Sequence, residues 1–217
     1  MTIAGIYLVT TEPPAGTSLL DVIDAAVDAG VETVQLRAKQ SATRDFLDLT
    51  AAASDVIRGR ARLLINDRVD IVLAARASGI HVDGAHLGQS DLPPAIARTL
   101  LGDESVLGLT ADTRAHLAAL DGEPSSAVDY LGVGAIHPTS TKPDHPRPLG
   151  VSGFAEFAES APLPCVAIGG ITVADVAALR RAGAAAIAVA SAICAATDPG
   201  RAAADLVSAW TSAEVTR

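Results

Sequence analysis

A single (β/α)8 barrel, an α/β fold, is the architecture that this sequence predicts, and three observations lead to it. Short β-rich apolar runs alternate with alanine-rich helical stretches along the 217 residues. Eight such runs can be distinguished, which gives about 27 residues for each strand–helix unit, a spacing that suits a compact barrel. Gly30 and Gly183 follow helical stretches shortly before the next run, where a glycine can adopt the left-handed conformation that ends a helix.

The alternation also predicts that the strands are parallel, because parallel neighbours need a crossover connection, which is commonly a helix. An open, doubly wound sheet is the alternative. Such sheets usually carry a G-x-G-x-x-G turn after the first strand, whereas here that strand is followed by Thr11-Glu12-Pro13-Pro14. The pattern therefore favours the closed TIM barrel. The eight predicted strands are Gly5–Thr10, Thr33–Arg37, Arg62–Asn66, Gly79–Val82, Val106–Thr110, Tyr130–Gly134, Pro164–Ile168 and Ala186–Ala190.

The stretches between these strands carry apolar residues at spacings of three and four, which is typical of helices with one buried face. The clearest of them are Leu19–Ala29, Arg44–Arg58, Val69–Arg76, Ala95–Leu101, Ala174–Ala182 and Ala202–Trp210. Apolar residues make up 49% of the chain and aromatic residues 3%, so Ala, Val, Leu and Ile must fill the core. We expect one domain that spans residues 1–217.

Charge and composition exclude several classes of protein. The net charge of −9 argues against a nucleic-acid binder, which normally shows a basic stripe, and against adhesion to an anionic membrane surface. Cys165 and Cys194 lie far apart in apolar runs, which indicates buried side chains rather than a disulfide framework. The N-terminus lacks a signal-peptide pattern. We therefore expect a cytoplasmic protein that acts on small molecules; the sequence leaves open whether it forms a homo-oligomer.

Barrel active sites lie at the C-terminal ends of the strands, and the end of the second strand is basic there. The segment reads Gln35-Leu36-Arg37-Ala38-Lys39. Alternation along a strand places Gln35, Arg37 and Lys39 on one side, at the barrel mouth. Two cations and an amide in one row could hold a polyphosphate. The alternative interpretation is a solvated strand end whose basic side chains extend into water.

Two carboxylates follow the next two strands. Asp67 comes directly after the third strand, beside Asn66, and Asp91 follows the fourth. Either aspartate could simply cap the helix that comes after it. Together they lie at the same rim as the basic row, and Mg2+ is commonly held by one or two carboxylates plus phosphate oxygens and water. The pair therefore suggests a site for Mg2+ and a pyrophosphate group.

Later strand ends suggest a second anion site. The connection Ala135–Gly150 holds four prolines and no apolar periodicity, and long irregular loops in compact domains are usually functional or disordered. Gly169-Gly170 after the seventh strand lets backbone N–H groups approach an anion, and the helix expected at Ser191 would add more. The loops after strands seven and eight form the recurrent phosphate site of this fold. The polar residues that begin the proline-rich loop are Thr139, Ser140, Thr141 and Lys142. Hydroxyls followed by a lysine suit a phosphorylated ligand, and a solvated polar loop is the alternative interpretation.

Taken in order, the strand-end motifs resemble those of the thiamine phosphate synthase family over nearly the whole chain. The motifs are Ile6–Thr10, Gln35–Lys39, Ile65–Arg68, Gly88–Pro93, Gly132–Gly134, Pro138–Lys142, Ile168–Ile171 and Ser191–Ile193. Each motif is modest alone, but eight in order are specific. The resemblance implies that hydroxymethylpyrimidine diphosphate is joined to hydroxyethylthiazole phosphate, or to its carboxylated form, to give thiamine phosphate and pyrophosphate.

The resemblance also assigns roles to residues at the predicted rim. Mg2+ would be the cofactor, with Asp67 and Asp91 as its ligands. Arg37, Lys39 and Lys142 would stabilise the departing diphosphate. The residues implied for the pyrimidine diphosphate are Gln35, Leu36, Arg37, Ala38, Lys39, Asn66 and Lys142. Thr110, which keeps a hydroxyl after strand five, is also expected to bind substrate. The residues implied for the thiazole phosphate are Thr139, Ser140, Thr141, Gly170, Ala190 and Ser191.

Three departures from the family pattern accompany this resemblance. The run Gly79–Val82 is repeated five residues later as Gly84–Leu87. Counted from Asn66, the first copy falls where the family has its strand, so we expect five extra residues between strand four and Asp91. The extra loop could bulge and leave Asp91 at the metal site, which we favour, or Asp83 could compete for that role.

The other two departures lie after strands five and six. The family usually has a serine and a histidine after strand five, where this chain has Thr110-Ala111-Asp112. Asp112 would repel a diphosphate unless it is turned away or lies close to the metal. His137 stands where a phenylalanine is common, and it either lines the thiazole pocket or fills space. Two rival functions remain open: a thiazole tautomerase-like isomerase and a non-catalytic protein that binds thiamine precursors.

Overall fold

The computed structural model describes residues 3–120, 127–139 and 147–213. Eight parallel strands form a closed barrel in the order of the chain, and the first strand pairs with both the second and the eighth. The predicted (β/α)8 barrel is therefore confirmed. The strands are β1 (Gly5–Val9), β2 (Thr33–Leu36), β3 (Arg62–Asn66), β4 (Gly84–Leu87), β5 (Val106–Thr110), β6 (Tyr130–Gly134), β7 (Cys165–Ile168) and β8 (Ala184–Val189).

Helices follow the strands and surround the barrel. Each of the six predicted helical stretches overlaps a helix of the structure, and further helices follow strands five, six and eight. The helices are α1 (Leu19–Asp28), α2 (Thr43–Ile57), α3 (Val69–Ala77), α4 (Pro94–Leu101), α5 (Arg114–Leu120), α6 (Gly150–Ser160), α7 (Val173–Arg181), α8 (Ser191–Cys194) and α9 (Pro199–Ser212). None of the helices in the described ranges is long and apolar enough to cross a membrane.

The fourth strand is the one strand whose predicted position was wrong. It is formed by Gly84–Leu87, the second copy of the repeat, which pairs with β3 and β5. Gly79 has φ of 77°, so the first copy does not begin as an extended strand. Gly84 fits because a side chain there would collide with the backbone of Val106. The extra residues therefore precede the strand.

This placement separates the two aspartates that could have competed for the metal. Asp83 lies just before β4, where its backbone N–H donates to the Leu63 carbonyl oxygen over 2.9 Å and its carboxylate accepts from the Leu63 N–H over 2.7 Å. That is the N-terminal end of the barrel. Asp91 follows β4 at the opposite end, so no inserted loop lies between the strand and Asp91.

Apolar side chains form two packing layers. The larger layer lies between the strands and the helices and includes Leu36 and Phe154. The smaller layer fills the inside of the barrel and contains Tyr7 and Tyr130 together with small residues such as Ala186 and Ala188. Because these small side chains occupy little volume, space remains inside the barrel toward the C-terminal ends of the strands.

Candidate active site

One cavity of about 870 Å³ opens at the C-terminal ends of the strands, and residues from all eight strands or the loops after them line it. Most of the residues that the sequence singled out are brought together here. The lining includes Gln35, Arg37, Lys39, Asn66, Asp67, Asp91, Thr110, Thr139, Gly170, Ala190 and Ser191. The basic row, the carboxylates and the glycine pair thus share a single space.

Five of the predicted residues are not among those that line the cavity. Two of them have side chains that point elsewhere, and three lie outside the described residues. Leu36 is fully buried in the outer layer, and Ala38 packs against that layer. Their side chains therefore point away from the cavity, as alternation along β2 requires, and any ligand contact would come from their backbone. Ser140, Thr141 and Lys142 lie outside the described residues.

The predicted basic row ends in an ion pair with the first carboxylate. Lys39 Nζ lies 3.2 Å from Asp67 Oδ2, and the Arg37 N–H donates to Thr10 Oγ1 over 2.9 Å, which fixes the end of β2 against the end of β1. Arg37 and Lys39 both line the cavity. The strand end therefore presents its cations to the cavity and to the carboxylates rather than to bulk water alone.

Asp67 does not serve as a helix cap. The N-cap residue of α3 is Arg68, and no side chain caps the helix. Asp67 has φ of 63°, in the left-handed region that aspartate adopts more readily than most residues. Its backbone N–H donates to the His86 carbonyl oxygen over 2.8 Å. The turn thus directs the Asp67 carboxylate to the rim beside Lys39.

Asp91 likewise serves the rim rather than α4, which begins after Pro93 without a side-chain cap. Its Oδ2 accepts from the Gly88 N–H over 2.6 Å. Burial raises the pKa of Asp91, and the facing Asp67 carboxylate raises it further, while the Gly88 N–H and Lys39 act in the opposite direction. Two close carboxylates repel each other, and a cation between them would relieve that repulsion.

A hydrogen-bonded network crosses the interior of the barrel beneath this rim. Gln35 Nε2 donates to the Tyr7 hydroxyl over 2.5 Å, and the hydroxyls of Tyr7 and Tyr130 lie 2.9 Å apart. His86 Nδ1 lies 3.0 Å from the Tyr130 hydroxyl, and its Nε2 lies 3.0 Å from Thr110 Oγ1. Five strands thus contribute one polar side chain each to the floor of the cavity.

The two tyrosines of the network carry no charge, and their rings need glycine neighbours. Burial raises the pKa of both tyrosines well above the ordinary value, so both stay protonated. A side chain at Gly108 would meet the Tyr130 ring and lie 2.5 Å from His86 Nδ1, and one at Gly132 would lie 2.8 Å from the His86 ring. The glycines of β5 and β6 therefore make room for the two rings.

The sequence did not assign roles to three of these floor residues. Tyr7 and His86 lie within or beside recognised motifs, and Tyr130 begins β6. Strand alternation offered one signal for Tyr7. Tyr7 and Val9 are two residues apart on β1, so their side chains point to the same side of the sheet, and both line the cavity. Which residues meet across the barrel depends on the shear of the closed sheet, which is not readable from local spacing.

The glycine pair lies on the opposite side of the cavity. Gly169 and Gly170 have φ of 102° and 67°, which residues with side chains rarely adopt. A side chain at Gly170 would lie 2.8 Å from the His137 Cβ atom, so the loops after β6 and β7 are closely packed. The short helix α8 begins at Ser191 after Ala190. The glycine pair, Ala190 and Ser191 all line the cavity on this side.

Asp112 and His137, the two departures at strand ends, each lie beside an ionisable partner. Asp112 Oδ1 lies 3.0 Å from Nδ1 of His116, and both residues line the cavity. His137 Nε2 lies 2.9 Å from Asp175 Oδ1, and His137 is not among the lining residues. Asp112 thus faces the site, whereas His137 supports the wall behind it.

Comparison with known proteins agrees with this geometry. The sequence profile of the family described as thiamine monophosphate synthase matches residues 6–193. The thiamine-phosphate synthase of Corynebacterium efficiens is 42% identical over 181 residues, which cover 83% of this chain and 83% of that protein. The thiamine-phosphate synthase of Albidiferax ferrireducens is 44% identical over 196 residues, which cover 89% and 86%. The solved thiamine phosphate pyrophosphorylase from Pyrococcus furiosus matches with a TM-score of 0.81 at 26% identity, covering 95% of each chain.

Fold and site together define the class: this is a (β/α)8-barrel enzyme with its cavity at the C-terminal ends of the strands. Within that class, the profile match and the close relatives decide the family. The chain belongs to the thiamine monophosphate synthase family.

Proposed function

We propose that this protein is a thiamine phosphate synthase, a transferase that joins hydroxymethylpyrimidine diphosphate to hydroxyethylthiazole phosphate, or to its carboxylated form, and releases pyrophosphate. The observation that carries the proposal is that the basic row, its two carboxylates and the glycine pair all line the same cavity. A reaction between two phosphorylated substrates requires two anion sites within reach of each other. A cytoplasmic location is part of this proposal.

The diphosphate would bind at the rim formed by the loops after β2, β3 and β4. Arg37 and Lys39 supply positive charge there, and Asn66 supplies an amide. Asp67 and Asp91 would hold Mg2+, which commonly binds one or two carboxylates together with phosphate oxygens. The fit rests on the placement of the two carboxylates in one cavity, where burial and the facing Asp67 carboxylate both raise the pKa of Asp91. When bound, Mg2+ would neutralise the charge that develops on the leaving group.

The pyrimidine ring would lie over the polar floor. An aminopyrimidine carries both donors and acceptors at its edge, and the floor offers the Gln35 amide and the Thr110 hydroxyl. Because the tyrosines stay protonated, the floor adds no negative charge beneath the diphosphate. The thiazole phosphate would bind against Gly170 and the start of α8, where backbone N–H groups can hold an anion. Thr139 lies on the wall between the two sites.

The residues suit a reaction that needs electrostatic stabilisation more than proton transfer. The bond between the pyrimidine methylene carbon and the diphosphate oxygen breaks, and its electron pair leaves with the oxygen. The thiazole nitrogen then forms a bond to the cationic carbon. Arg37 and Lys39 would stabilise the departing charge in a site partly shielded from water. Lys142, to which the family resemblance gives the same role, lies outside the described residues.

Pyrophosphate release tests the proposal directly. The full chain should release pyrophosphate from the two substrates together when Mg2+ is present, and chelation of the metal should reduce the rate by orders of magnitude. Each substrate alone is the control and should release little. Isomerisation of the thiazole phosphate without pyrophosphate release would indicate the tautomerase-like rival. Binding of both substrates with no product would indicate the non-catalytic rival, and either result would overturn the synthase proposal.

A further inference from the structure

Asp112 is a third carboxylate at the cavity, and the proposed reaction leaves it without a role. Its side chain is 7% exposed, and it lines the cavity together with Asp67 and Asp91. Asp112 does not complete a metal site with these two, because no group of three or more His, Cys, Asp or Glu among the described residues is arranged to hold a metal ion. A buried carboxylate is costly unless it accepts hydrogen bonds, so a donor group of a ligand is a suitable partner for it.

Strand alternation places Asp112 above the β5 end of the polar floor. Ala111 continues the pairing of β5 with β6, since its N–H donates to the Gly132 carbonyl oxygen over 3.0 Å, and its side chain is buried in the outer layer. Thr110 and Asp112, on either side of it, therefore point to the inside of the barrel, and both line the cavity. At the usual rise of a strand, Asp112 lies about 6–7 Å closer to the barrel mouth than Thr110.

The two oxygens of the Asp112 carboxylate have different surroundings. Oδ1 is buried and lies 3.0 Å from Nδ1 of His116, and a neutral imidazole that carries its proton on Nδ1 can donate to it. Oδ1 is therefore turned toward His116 and the helix α5 that carries it. Because Asp112 nevertheless lines the cavity, Oδ2 is the oxygen through which it can meet a ligand.

The chemistry of Oδ2 decides what it can recognise. A carboxylate accepts hydrogen bonds but donates none, and it repels the oxygen atoms of a phosphate or carbonyl group. The exocyclic amine of an aminopyrimidine is a donor, and in the proposed complex the ring lies over the floor, below Asp112. The amine is therefore the part of the proposed substrate that suits this oxygen.

We infer that Asp112 Oδ2 accepts a hydrogen bond from the exocyclic amine of the pyrimidine diphosphate, so that Asp112 selects aminopyrimidines over oxopyrimidines. The inference rests on the proposed function, since it needs the pyrimidine ring over the floor. The amine keeps both of its hydrogens, so no proton is transferred. The carboxylate also stabilises the positive charge that develops on the ring as the diphosphate leaves. The family usually has a histidine at this position, so the carboxylate is a feature of this chain.

Two substrates test the inference: the aminopyrimidine diphosphate and its 4-oxo analogue, in which a carbonyl oxygen replaces the amine. Wild-type protein should prefer the amine by at least about 100-fold in kcat/KM for pyrophosphate release, because the analogue turns a carbonyl oxygen toward the carboxylate. In D112N the side-chain amide can donate to that oxygen, so the preference should shrink at least about ten-fold. The analogue also lacks the electron donation of the amine, but this difference is common to all variants, so the change in preference isolates Asp112.

A second variant and a matched control accompany D112N. D112A removes the acceptor without adding a donor, and its preference for the amine should also shrink. The control is D83N, because Asp83 is likewise a largely buried aspartate beside a histidine, with Oδ1 lying 3.4 Å from Nε2 of His81, but at the far end of the barrel. D83N should keep the wild-type preference. Thermal unfolding curves report whether each variant folds.

Calorimetry with Mg2+ and without the thiazole phosphate gives a readout that does not depend on turnover. Wild-type protein should bind the aminopyrimidine diphosphate at least about ten-fold more tightly than the oxo analogue, and D112N should show a smaller difference. Pyrophosphate has no ring, so D112N should bind it at least as tightly as the wild type does. Pyrophosphate binding that is ten-fold weaker in D112N would make Asp112 a ligand of Mg2+ and would overturn the inference.

The outcomes separate this inference from the proposed function. Wild-type protein that releases no pyrophosphate from the two natural substrates would refute the function. Active wild-type protein that uses both pyrimidines equally well, or that keeps its full preference in D112N and D112A, would refute the inference alone. A preference that shrinks as much in D83N as in D112N would reflect a general loss of structure and would also overturn it.

Discussion

Residues of the same type differ in their roles according to where they lie in the barrel. Asp67, Asp83 and Asp91 are all partly buried aspartates, yet Asp83 accepts from the Leu63 N–H at the N-terminal end of the barrel, whereas Asp67 and Asp91 face each other in the cavity. Asp67 also holds a left-handed backbone conformation, and such conformations cost of order 1–3 kcal/mol and cluster at functional sites. Position in the fold therefore decides which of these aspartates is available for the proposed Mg2+ site.

The first prediction compares two of these aspartates. Asp91→Ala should lower kcat/KM for pyrophosphate release by about two orders of magnitude, because one of the two proposed magnesium ligands is lost. Asp83→Ala should leave kcat/KM nearly unchanged and should only lower the free energy of unfolding, by about 1–3 kcal/mol. Steady-state kinetics and urea denaturation measure the two effects. A severe kinetic defect in Asp83→Ala with a mild one in Asp91→Ala would reverse the assignment.

At the residue scale the sequence indicated most of the rim and two of the five floor residues, but not the two tyrosines or the histidine of the floor. Strand alternation put Gln35, Arg37 and Lys39 on one side, and all three line the cavity. The contact between Tyr7 and Tyr130 joins residues 123 positions apart, so no local pattern could reveal it. The pairing of Asp112 with His116 depends on how the chain turns from β5 into α5, which residue types alone do not fix.

At the scale of secondary-structure elements, a hydrogen bond between His137 and Asp175 joins the loop after β6 to α7. His137 Nε2 lies 2.9 Å from Asp175 Oδ1, while Asp175 Oδ2 accepts from the Thr172 N–H and hydroxyl, each over 2.8 Å. Burial raises the pKa of Asp175, but the hydrogen bonds from Thr172 and His137 outweigh this effect, and the pKa is lowered overall. Asp175 thus caps α7 and holds the loop that leads to Thr139.

The second prediction tests this connection. His137→Phe keeps an aromatic ring but removes the hydrogen bond to Asp175, so the loop should be held less firmly beside Gly170. We expect the KM for the thiazole phosphate to rise about three- to ten-fold, as the loss of a charge-assisted hydrogen bond suggests, with kcat affected less. His137→Gln, which can still donate to Asp175, should recover much of the affinity. Equal KM values in wild type and His137→Phe would contradict the prediction.

The positions of helices and strands were predictable wherever a segment of the sequence carried only one periodic pattern. Seven strands overlap their predicted ranges, but the fourth was misplaced because Gly79–Val82 and Gly84–Leu87 carry nearly the same pattern. Only pairing in the sheet distinguishes them, since Gly84 must pack against the backbone of Val106. A repeat of this kind leaves the register open in the sequence, and the closed barrel resolves it.

The whole molecule is organised around an interior that is filled at one end and open at the other. Tyr7 and Tyr130 form the boundary, because they pack with the inner apolar layer and also bond to the polar floor. The arrangement needs Gly108 and Gly132, beside which the rings of His86 and Tyr130 lie. The size of the cavity therefore depends on these two glycines, of which Gly132 also lines the cavity.

The third prediction concerns this interior. Gly108→Ala would place a methyl group against the Tyr130 ring and 2.5 Å from His86 Nδ1. Overpacking of this kind typically costs about 1–3 kcal/mol, and displacement of both rings should also raise the KM for the pyrimidine diphosphate. The control is Gly200→Ala in α9, where the nearest atoms lie 3.6 Å away and stability should be unchanged or improved. Thermal unfolding measures the loss of stability, and steady-state kinetics measures the KM. A Gly108→Ala variant with the stability and KM of the wild type would contradict the prediction.

The two ends of the polar floor differ in their chemistry. The row begins at β2 with the Gln35 amide, whose Nε2 donates to the Tyr7 hydroxyl, and it ends at β5 with the Thr110 hydroxyl, which lies 3.0 Å from His86 Nε2. Between these ends the hydroxyls of Tyr7 and Tyr130 lie 2.9 Å apart, and either can donate to the other. A flat heterocycle laid on this row meets an amide at one edge and a hydroxyl at the other, so the floor selects which edge of the ring faces which wall before any bond is broken.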